Sequence, residues 1–571
     1  MLNLRSEIEK YLAAAVSSAI ESGELPSDSG KIKVIIQYPP EKQDNLGDYS
    51  SPVALTIAKE IGKKPLEVAQ IIWKHLTQNT PEFIGAIEIA QPGFINFKLK
   101  ADWLIQKMDD VVEDDKIFGT GNEGEGKTIN LEFVSANPTG MPTFGNGRAL
   151  FWADTLGRIL EKRGYAVTRE YYINDVGNQV RIYGESVLRR ILQKNGHEIE
   201  FPENLYQGEE VKIVADKVEE IFSENENHSF SPDDLNNSEL ITKISLVSVD
   251  ETVKVIREMI ENLCQVHYDV WFYEHFVHER GEVKEVVDLL LKKGEAYEKE
   301  GAVWLKTTKY GDDKDRVLVR ENGEPTYFAP DIAYHRDKFR RGYNIIADFW
   351  GADHHGYVAR MKAAMQAMGE DISKLKIVIA QMVSVVEGGE RKKMSKRAGT
   401  SIPINEIIDQ VGLSAARFFL TMNSLSSHMD FDIELAREQS DRNPVYYVQY
   451  AYVRLVSLLR KAKEVNLVTD DFLPPEGAKT VLTHSSELNL MKEIFRFPEA
   501  VQEISENWEV QRLPHFALGF ARAVHLFYDS VPVLGETDEL LRSSRLVLVL
   551  AAKVALGNTL DLLGVEKLNV M

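Results

Sequence analysis

Thr128-Ile129-Asn130-Leu131-Glu132-Phe133-Val134, and the loop that follows it, Ser135-Ala136-Asn137-Pro138-Thr139-Gly140-Met141-Pro142-Thr143-Phe144-Gly145-Asn146-Gly147, decide the architecture. The first seven residues form a β-rich run. The loop is rich in Pro and Gly, and a helical pattern follows from about Arg148 through Arg163. Strand, glycine-containing loop and helix opening a long α/β segment is the pattern of a nucleotide-binding fold. A second apolar strand, Ile345-Ile346-Ala347-Asp348-Phe349-Trp350, comes about 200 residues later and again runs into a loop, Gly351-Ala352-Asp353-His354-His355-Gly356, before a helix. The spacing predicts two half-folds with an insertion at about 185–320, inside a core of residues 126–430.

On the N-terminal side, residues 1–118 read as an α+β unit. Its elements are an amphipathic helix over the first 20 residues, a strand at Lys33-Val34-Ile35-Ile36-Gln37, helices at Val53 to Lys59 and Pro65 to His75, and strands at Ile87-Glu88-Ile89 and Phe94-Ile95-Asn96-Phe97 joined by a turn at Pro92-Gly93. The glycine-rich, acidic stretch Gly119 to Gly126 reads as a linker. On the C-terminal side, residues 431–571 read as a helical bundle with 3.6-residue periodicity at Val445 to Lys463, Glu487 to Glu506 and Arg542 to Leu563.

A chain of 571 residues is too long for one hydrophobic core, so roughly three or four domains are expected. Its single cysteine, Cys264, excludes an intramolecular disulfide and a Cys-rich zinc site, and suits a reducing, cytoplasmic setting. Glu7, Glu9 and Lys10 are wrong for a signal peptide, and Lys553 interrupts the apolar run Leu546 to Ala552, so no membrane segment is expected. A formal charge of −21 argues against nucleic acid over the surface as a whole, but binding requires only a local positive face.

The run Lys392-Lys393-Met394-Ser395-Lys396-Arg397-Ala398-Gly399-Thr400 sets four cations within six residues beside glycines, a composition suited to neutralising a polyphosphate during transfer. An arbitrary Lys-rich run is more often a solvated loop. This one resembles the KMSKR signature of class I aminoacyl-tRNA synthetases, at 393–397, and Thr143-Phe144-Gly145-Asn146 occupies the place of their HIGH motif. The chain departs from that motif, with Thr143 and Asn146 where the histidines belong; both are hydrogen-bonding side chains. The blocks Tyr171-Tyr172-Ile173-Asn174-Asp175-Val176-Gly177-Asn178-Gln179, Tyr327-Phe328-Ala329-Pro330-Asp331-Ile332-Ala333-Tyr334 and Gly351 to Tyr357 resemble the arginyl enzymes, in order and over essentially the full length.

The resemblance implies a multidomain α/β protein: a Rossmann-type class I catalytic core with an insertion, an α+β N-terminal domain touching the tRNA elbow, and an all-α anticodon-binding bundle. It implies an arginine–tRNA ligase using ATP with Mg²⁺, L-arginine and tRNA(Arg), cytoplasmic and monomeric. Thr143, Asn146, Lys393 and Lys396 are then the catalytic residues, and Gly145, Gly351, Asp353, Met394 and Ser395 complete the ATP site. Asp331 and Tyr327 would meet the guanidinium, which a carboxylate recognises best. Glu132, Ser135, Asn137 and His355 would line the rest of the arginine site, and Asn45, Tyr49, Tyr446, Tyr450, Arg454 and Arg545 would contact tRNA. The adjacent His354 and His355 do not make a zinc site, because neighbouring side chains rarely converge; no protein-held metal is expected.

Overall fold

The structure, a computed structural model, describes residues 3–39, 47–391, 402–469 and 482–571. Helix α1 (Leu4–Glu21) is N-capped by Asn3, whose side chain accepts from the Ser6 N–H at 2.9 Å, and it buries Leu4, Ile8, Leu12, Ala15, Val16 and Ala19 along one stripe. It packs on helix Pro65–Leu76, beside an antiparallel sheet in which Phe94–Leu99 lies between Tyr49–Ser51 and Ile84–Ala90. Residues 33–37, expected as a strand, make one isolated bridge, Gln37 to Ser50, and Ile35 is 47% exposed. A β-branched run becomes a strand only where a continuous partner is available.

Five parallel strands form the centre. They are β1 (Thr128–Glu132), β2 (Ala166–Ile173), β3 (Val270–Tyr273), β4 (Ile345–Gly351) and β5 (Leu375–Ala380), in the spatial order β5-β4-β1-β2-β3. Strand order reverses at the β1/β4 boundary, the crevice where such sheets bind ligands. Helix α2 (Phe144–Lys162) crosses from β1 to β2, α3 (Phe328–Arg340) precedes β4, and α4 (Tyr357–Met368) connects β4 to β5. The insertion comes in two parts. Helices Asn178–Lys194, Glu210–Glu226 and Ser238–Glu258 stand between β2 and β3 with their own core around Tyr183, Leu188 and Phe222. A small antiparallel sheet, Ala296–Lys299, Ala302–Leu305 and Arg316–Val319, lies between β3 and α3.

The C-terminal bundle comprises α5 (Pro444–Glu464), α6 (Ser485–Asn507), α7 (Arg512–Ser530) and α8 (Glu539–Leu563). Among the described residues α8 is the one helix long and apolar enough to cross a membrane, but 89% of its apolar window is buried inside the protein, as befits the central helix of a bundle. The expected linker at 119–126 is fastened down. The N–H groups of Gly121 and Gly124 donate to the carbonyls of Lys162 and Arg163 at 3.0 and 2.9 Å, and a Cβ on Gly121 would lie 2.1 Å from the Arg163 guanidinium carbon. Glycine is needed there for close approach rather than for flexibility.

Candidate functional site

The N-terminus of α2 lies at the switch point. Thr143 is its N-cap, and Asn146 Oδ1 accepts both the Thr143 N–H and the Thr143 hydroxyl at 2.9 Å. The pair thus caps itself, leaving the Asn146 amide N–H₂ without a partner among the described residues. Gly145 is exposed, and an added Cβ would meet only Thr143 Oγ1, at 3.6 Å, so the backbone here is open to a nucleotide. The chain resuming after the basic run straps this turn. The Phe144 N–H donates to Ile402 O at 2.8 Å, the Ile404 N–H donates to Pro142 O at 3.1 Å, and Gly147 admits Ile404, which would sit 2.6 Å from a Cβ. Arg148, fully buried, donates to the carbonyls of Gln381, Ser424 and Ser427 at 3.1, 2.6 and 2.6 Å, and burial pushes its pKa down to about 10.

Strand register sets three carboxylates side by side. Glu132 on β1 is opposite Asp348 on β4 and Glu170 on β2, and all three are buried. Helix α3 lays polar groups over them at Asp331, Tyr334, His335 and Lys338, the i, i+3, i+4, i+7 face. Lys338, with no exposed surface, pairs with both Glu132 and Asp348, the latter at 2.5 Å. The Tyr334 hydroxyl reaches Glu132 at 3.0 Å and Glu170 at 2.8 Å, while Arg341 takes Glu170 in a bidentate pair at 2.6 and 2.9 Å. Burial opposes the charge on Asp348, yet Lys338 and His335 hold its carboxyl well below the usual carboxylate range.

Beyond β1 the chain turns through Val134 at φ 70° and Ser135 at φ 39°, left-handed conformations that a β-branched residue rarely adopts and that cost roughly 1–3 kcal/mol each. The turn folds the Ser135 hydroxyl back onto Glu132 Oε1 at 2.8 Å, where its oxygen also accepts the Tyr172 N–H at 3.1 Å. Asn137, exposed, donates to Gln179 Oε1 at 2.8 Å.

Asp331 behaves differently from the other carboxylates. Tyr357 donates to it at 2.6 Å, but no Lys or Arg among the described residues pairs with it. Burial, with Glu274 and Glu132 nearby, raises its pKa to about 6 against the opposing Tyr357 hydrogen bond and His335. A carboxylate so placed is one cation short. Tyr327, four residues earlier, is 59% exposed at the mouth of this region, its hydroxyl near Gly177. Gly351, Asp353 and His355 are exposed at the carboxyl end of β4. Asp353 and His354 border a cavity of about 590 Å³ with Asp312, Asp313, Arg316, Tyr357 and Arg360.

The remaining expected residues divide. Tyr446 and Tyr450 stack at 6.3 Å on α5, and the Arg454 guanidinium lies 4.9 Å from the Tyr450 ring and 4.5 Å from the Tyr528 ring of α7, forming an aromatic and cationic face. Tyr49 and Arg545 do not fit a tRNA contact. Tyr49 is 3% exposed and donates to Glu499 of α6 at 2.7 Å, so it joins the N-terminal unit to the bundle. Arg545 is 6% exposed and paired with Glu487 and Glu536 at 2.6 and 2.7 Å, a helix-to-helix tie. Asn45, Lys393, Met394, Ser395 and Lys396 lie outside the described residues. Sequence reasoning missed Lys338, Asp348, Glu170 and Arg341. The polar face of α3 could have found Lys338 and Arg341, and a carboxylate set within an apolar strand could have found Asp348 and Glu170.

The sequence matches three family models: the arginyl tRNA synthetase N terminal domain over residues 4–99, the catalytic domain of class I (R) tRNA synthetases over 108–428, and the DALR anticodon binding domain over 448–571. It is 42% identical over 565 residues to the arginine–tRNA ligase of Desulfitobacterium hafniense (strain DSM 10664 / DCB-2), covering 99% of this chain and 98% of that one. It is 41% identical over 570 residues to that of Moorella thermoacetica, covering 99% of each. The fold is shared with the arginyl-tRNA synthetase of Thermus thermophilus, with a TM-score of 0.76 at 21% identity over 100% of both chains. With a reversed parallel sheet, a self-capped α2 and an uncompensated carboxylate at its switch point, and with these relatives along its whole length, the chain belongs to the arginyl-tRNA synthetase family, the class I ligases that charge tRNA with arginine.

Proposed function

We propose that arginine lies across the carboxyl ends of β1 and β4, its guanidinium on Asp331 and Tyr327 and its amino-acid end at Glu132, Ser135 and Asn137, with His355 at the rim. ATP lies beside it, against Thr143, Gly145 and Asn146 at the N-terminus of α2 and against Gly351 and Asp353. The observation that carries this reading is Asp331: a buried carboxylate that pairs with no Lys or Arg among the described residues, its pKa raised to about 6, suits a site that receives a guanidinium from its ligand.

An arginine carboxylate oxygen attacks the α-phosphorus of ATP and pyrophosphate leaves with its electron pair. A hydroxyl of the terminal ribose of tRNA then attacks the adenylate carbonyl and AMP leaves. The protein positions the reactants and stabilises charge, with the Asn146 amide and the dipole of α2 donating to the phosphates and the cationic side chains of Lys393 and Lys396 neutralising the charge that develops there. Mg²⁺ arrives with ATP as its phosphate counterion. Among the described residues no group of three or more His, Cys, Asp or Glu is arranged to hold a metal of its own. The aromatic face of Tyr446, Tyr450 and Arg454 receives unpaired tRNA bases by stacking. A cytoplasmic monomer completes the reading, and light scattering on the eluted enzyme measures its mass. ATP–pyrophosphate exchange, run with and without tRNA(Arg), tests the whole. Arginine-dependent exchange is expected, and none under either condition would leave a protein that binds these ligands without turning them over.

A further inference from the structure

We infer that Lys338 is a positioning residue for the amino-acid end of arginine, and that α3 acts as a ruler setting the distance between the two ends of the substrate. The inference rests on the reading above in which Glu132 meets the α-ammonium. Glu132 and Asp348 are register partners on adjacent parallel strands, so their side chains leave the same face of the sheet within a strand spacing of each other. Two carboxylates so close, one 6% exposed and the other 0%, repel each other unless a cation lies between them. Lys338 supplies that cation, touching both.

The remaining contacts of Glu132 come from the Tyr334 hydroxyl on Oε2 and the Ser135 hydroxyl on Oε1, so both oxygens are fixed in direction. Asp348 is held on its other oxygen by His335 Nε2 at 3.1 Å, and His335 Nδ1 in turn meets the backbone carbonyl of Asp331 at 2.7 Å. One helical face therefore presents Asp331 at one end and, two turns on, the ammonium that holds Glu132 at the other. Neither Lys338 nor Asp348 is exposed to substrate; each acts through Glu132. The groups packed around the Glu132 carboxylate are Lys338 and Tyr334 of α3, Ser135 of its own loop, Asp348 of β4 and Glu170 of β2.

The test compares arginine with its deamino analogue, 5-guanidinovaleric acid, which lacks the α-ammonium, in tRNA aminoacylation by the full-length enzyme. It measures arginine KM, analogue inhibition constant and ATP KM. In Lys338→Met the arginine KM is expected to rise about tenfold or more, the scale of a lost charge-assisted contact. The analogue constant and ATP KM should stay within about threefold of wild type, a split that general loss of structure would not produce. Because Lys338→Met leaves two buried carboxylates facing each other, the double variant Lys338→Met/Asp348→Asn, which removes one charge of each sign, is measured beside it after a thermal melt confirms that it folds. The same collapse of discrimination is expected in the double variant. Glu132→Gln separates the two layers of the argument. If it leaves the arginine-to-analogue ratio unchanged, the placement of the α-ammonium at Glu132 is wrong. If it abolishes the ratio while a folded Lys338 variant keeps it, the positioning role of Lys338 is overturned.

Discussion

At the scale of single residues, the proposed arginine site places the substrate's identity on Asp331. Asp331→Asn keeps shape and hydrogen bonding but removes the countercharge, so kcat/KM for arginine should fall by about 10²- to 10⁴-fold, the equivalent of roughly 3–5 kcal/mol for a broken buried pair, with ATP KM nearly unchanged. The wild type carries a pH signature of the same residue. Its carboxyl is raised to about 6 in the folded, ligand-free enzyme, so the fold binds this proton more tightly than the unfolded chain does, and that contribution to stability is lost as pH rises through about 6. In the proposed site arginine binds the ionised form. Its affinity should therefore weaken as pH falls below about 6, with release of about half a proton on binding at that pH and approaching one proton below it, measurable by calorimetry in two buffers of different ionisation enthalpy. Thr143 and Asn146 differ in the direction of their hydrogen bond. The Thr143 hydroxyl is turned onto Asn146 Oδ1, leaving the Asn146 amide as the free donor, so Asn146→Ala should depress pyrophosphate exchange more than Thr143→Ala; equal losses would return the hydroxyl to the phosphate. The candidate site offers a reading from sequence where a residue's chemistry matches a ligand, as with the proposed pairing of Asp331 and a guanidinium. It was illegible where a residue serves another residue, because Lys338, Glu170 and Arg341 read in sequence as ordinary surface charges of a helix and a strand.

Among the elements, long periodic helices and the strand–loop–helix of the core were readable because each buries one stripe or face along its whole length. Helix α7 was not, since Arg512-Leu513-Pro514 opens it without a capping side chain and its apolar residues resemble those of its neighbours. The strand expected at 33–37 failed because propensity does not supply a partner. The glycines of 119–126 read as a linker, but Gly119, Gly121 and Gly124 serve close packing against Phe497, Arg163 and Tyr165. Arg148 makes the clearest element-scale prediction. Its guanidinium donates to three carbonyls, joining the start of α2 to the end of β5 and to the loop at 424–427. Arg148→Met is near in volume but donates nothing, so the three hydrogen bonds from the charged guanidinium are lost, each at most about 1.5–3 kcal/mol, and least at Ser424 O, which keeps the Ser427 N–H and hydroxyl as donors. Amide exchange in 424–427 should accelerate well before that of β1 or β2, and activity should fall because α2 loses its anchor. Unchanged protection of that loop would show that water replaces the guanidinium there.

The whole molecule is held together across large sequence separations. Glu499 of α6, buried, accepts the Tyr49 hydroxyl at 2.7 Å and the Arg5 N–H at 2.9 Å, as well as the Tyr38 hydroxyl, and burial raises its pKa despite these bonds. Trp103 and Phe118 lie 6.1 and 5.7 Å from Phe495 and Phe497 of the same helix. The N-terminal unit is therefore part of the bundle's cover, and its role toward tRNA is better tested by substitution than by removal. The acidic body of net charge −21 leaves tRNA binding to local faces, and two arginines on neighbouring helices separate two kinds of contact. Arg454 is already neutralised by Asp529 at 3.0 Å and lies between the Tyr450 and Tyr528 rings, so it builds a stacking platform. Arg522, exposed on α7, has no ion-pair partner among the described residues and is free to meet a phosphate. Phosphate contacts release counterions and stacking contacts do not, so the slope of log affinity against log salt reports which is lost. Arg454→Ala should weaken tRNA binding at every salt concentration with an unchanged slope. Arg522→Ala should make the slope shallower by about one unit, and arginine KM should move little with salt in either protein. A shallower slope in Arg454→Ala would mean that tRNA displaces Asp529 and takes the guanidinium for itself.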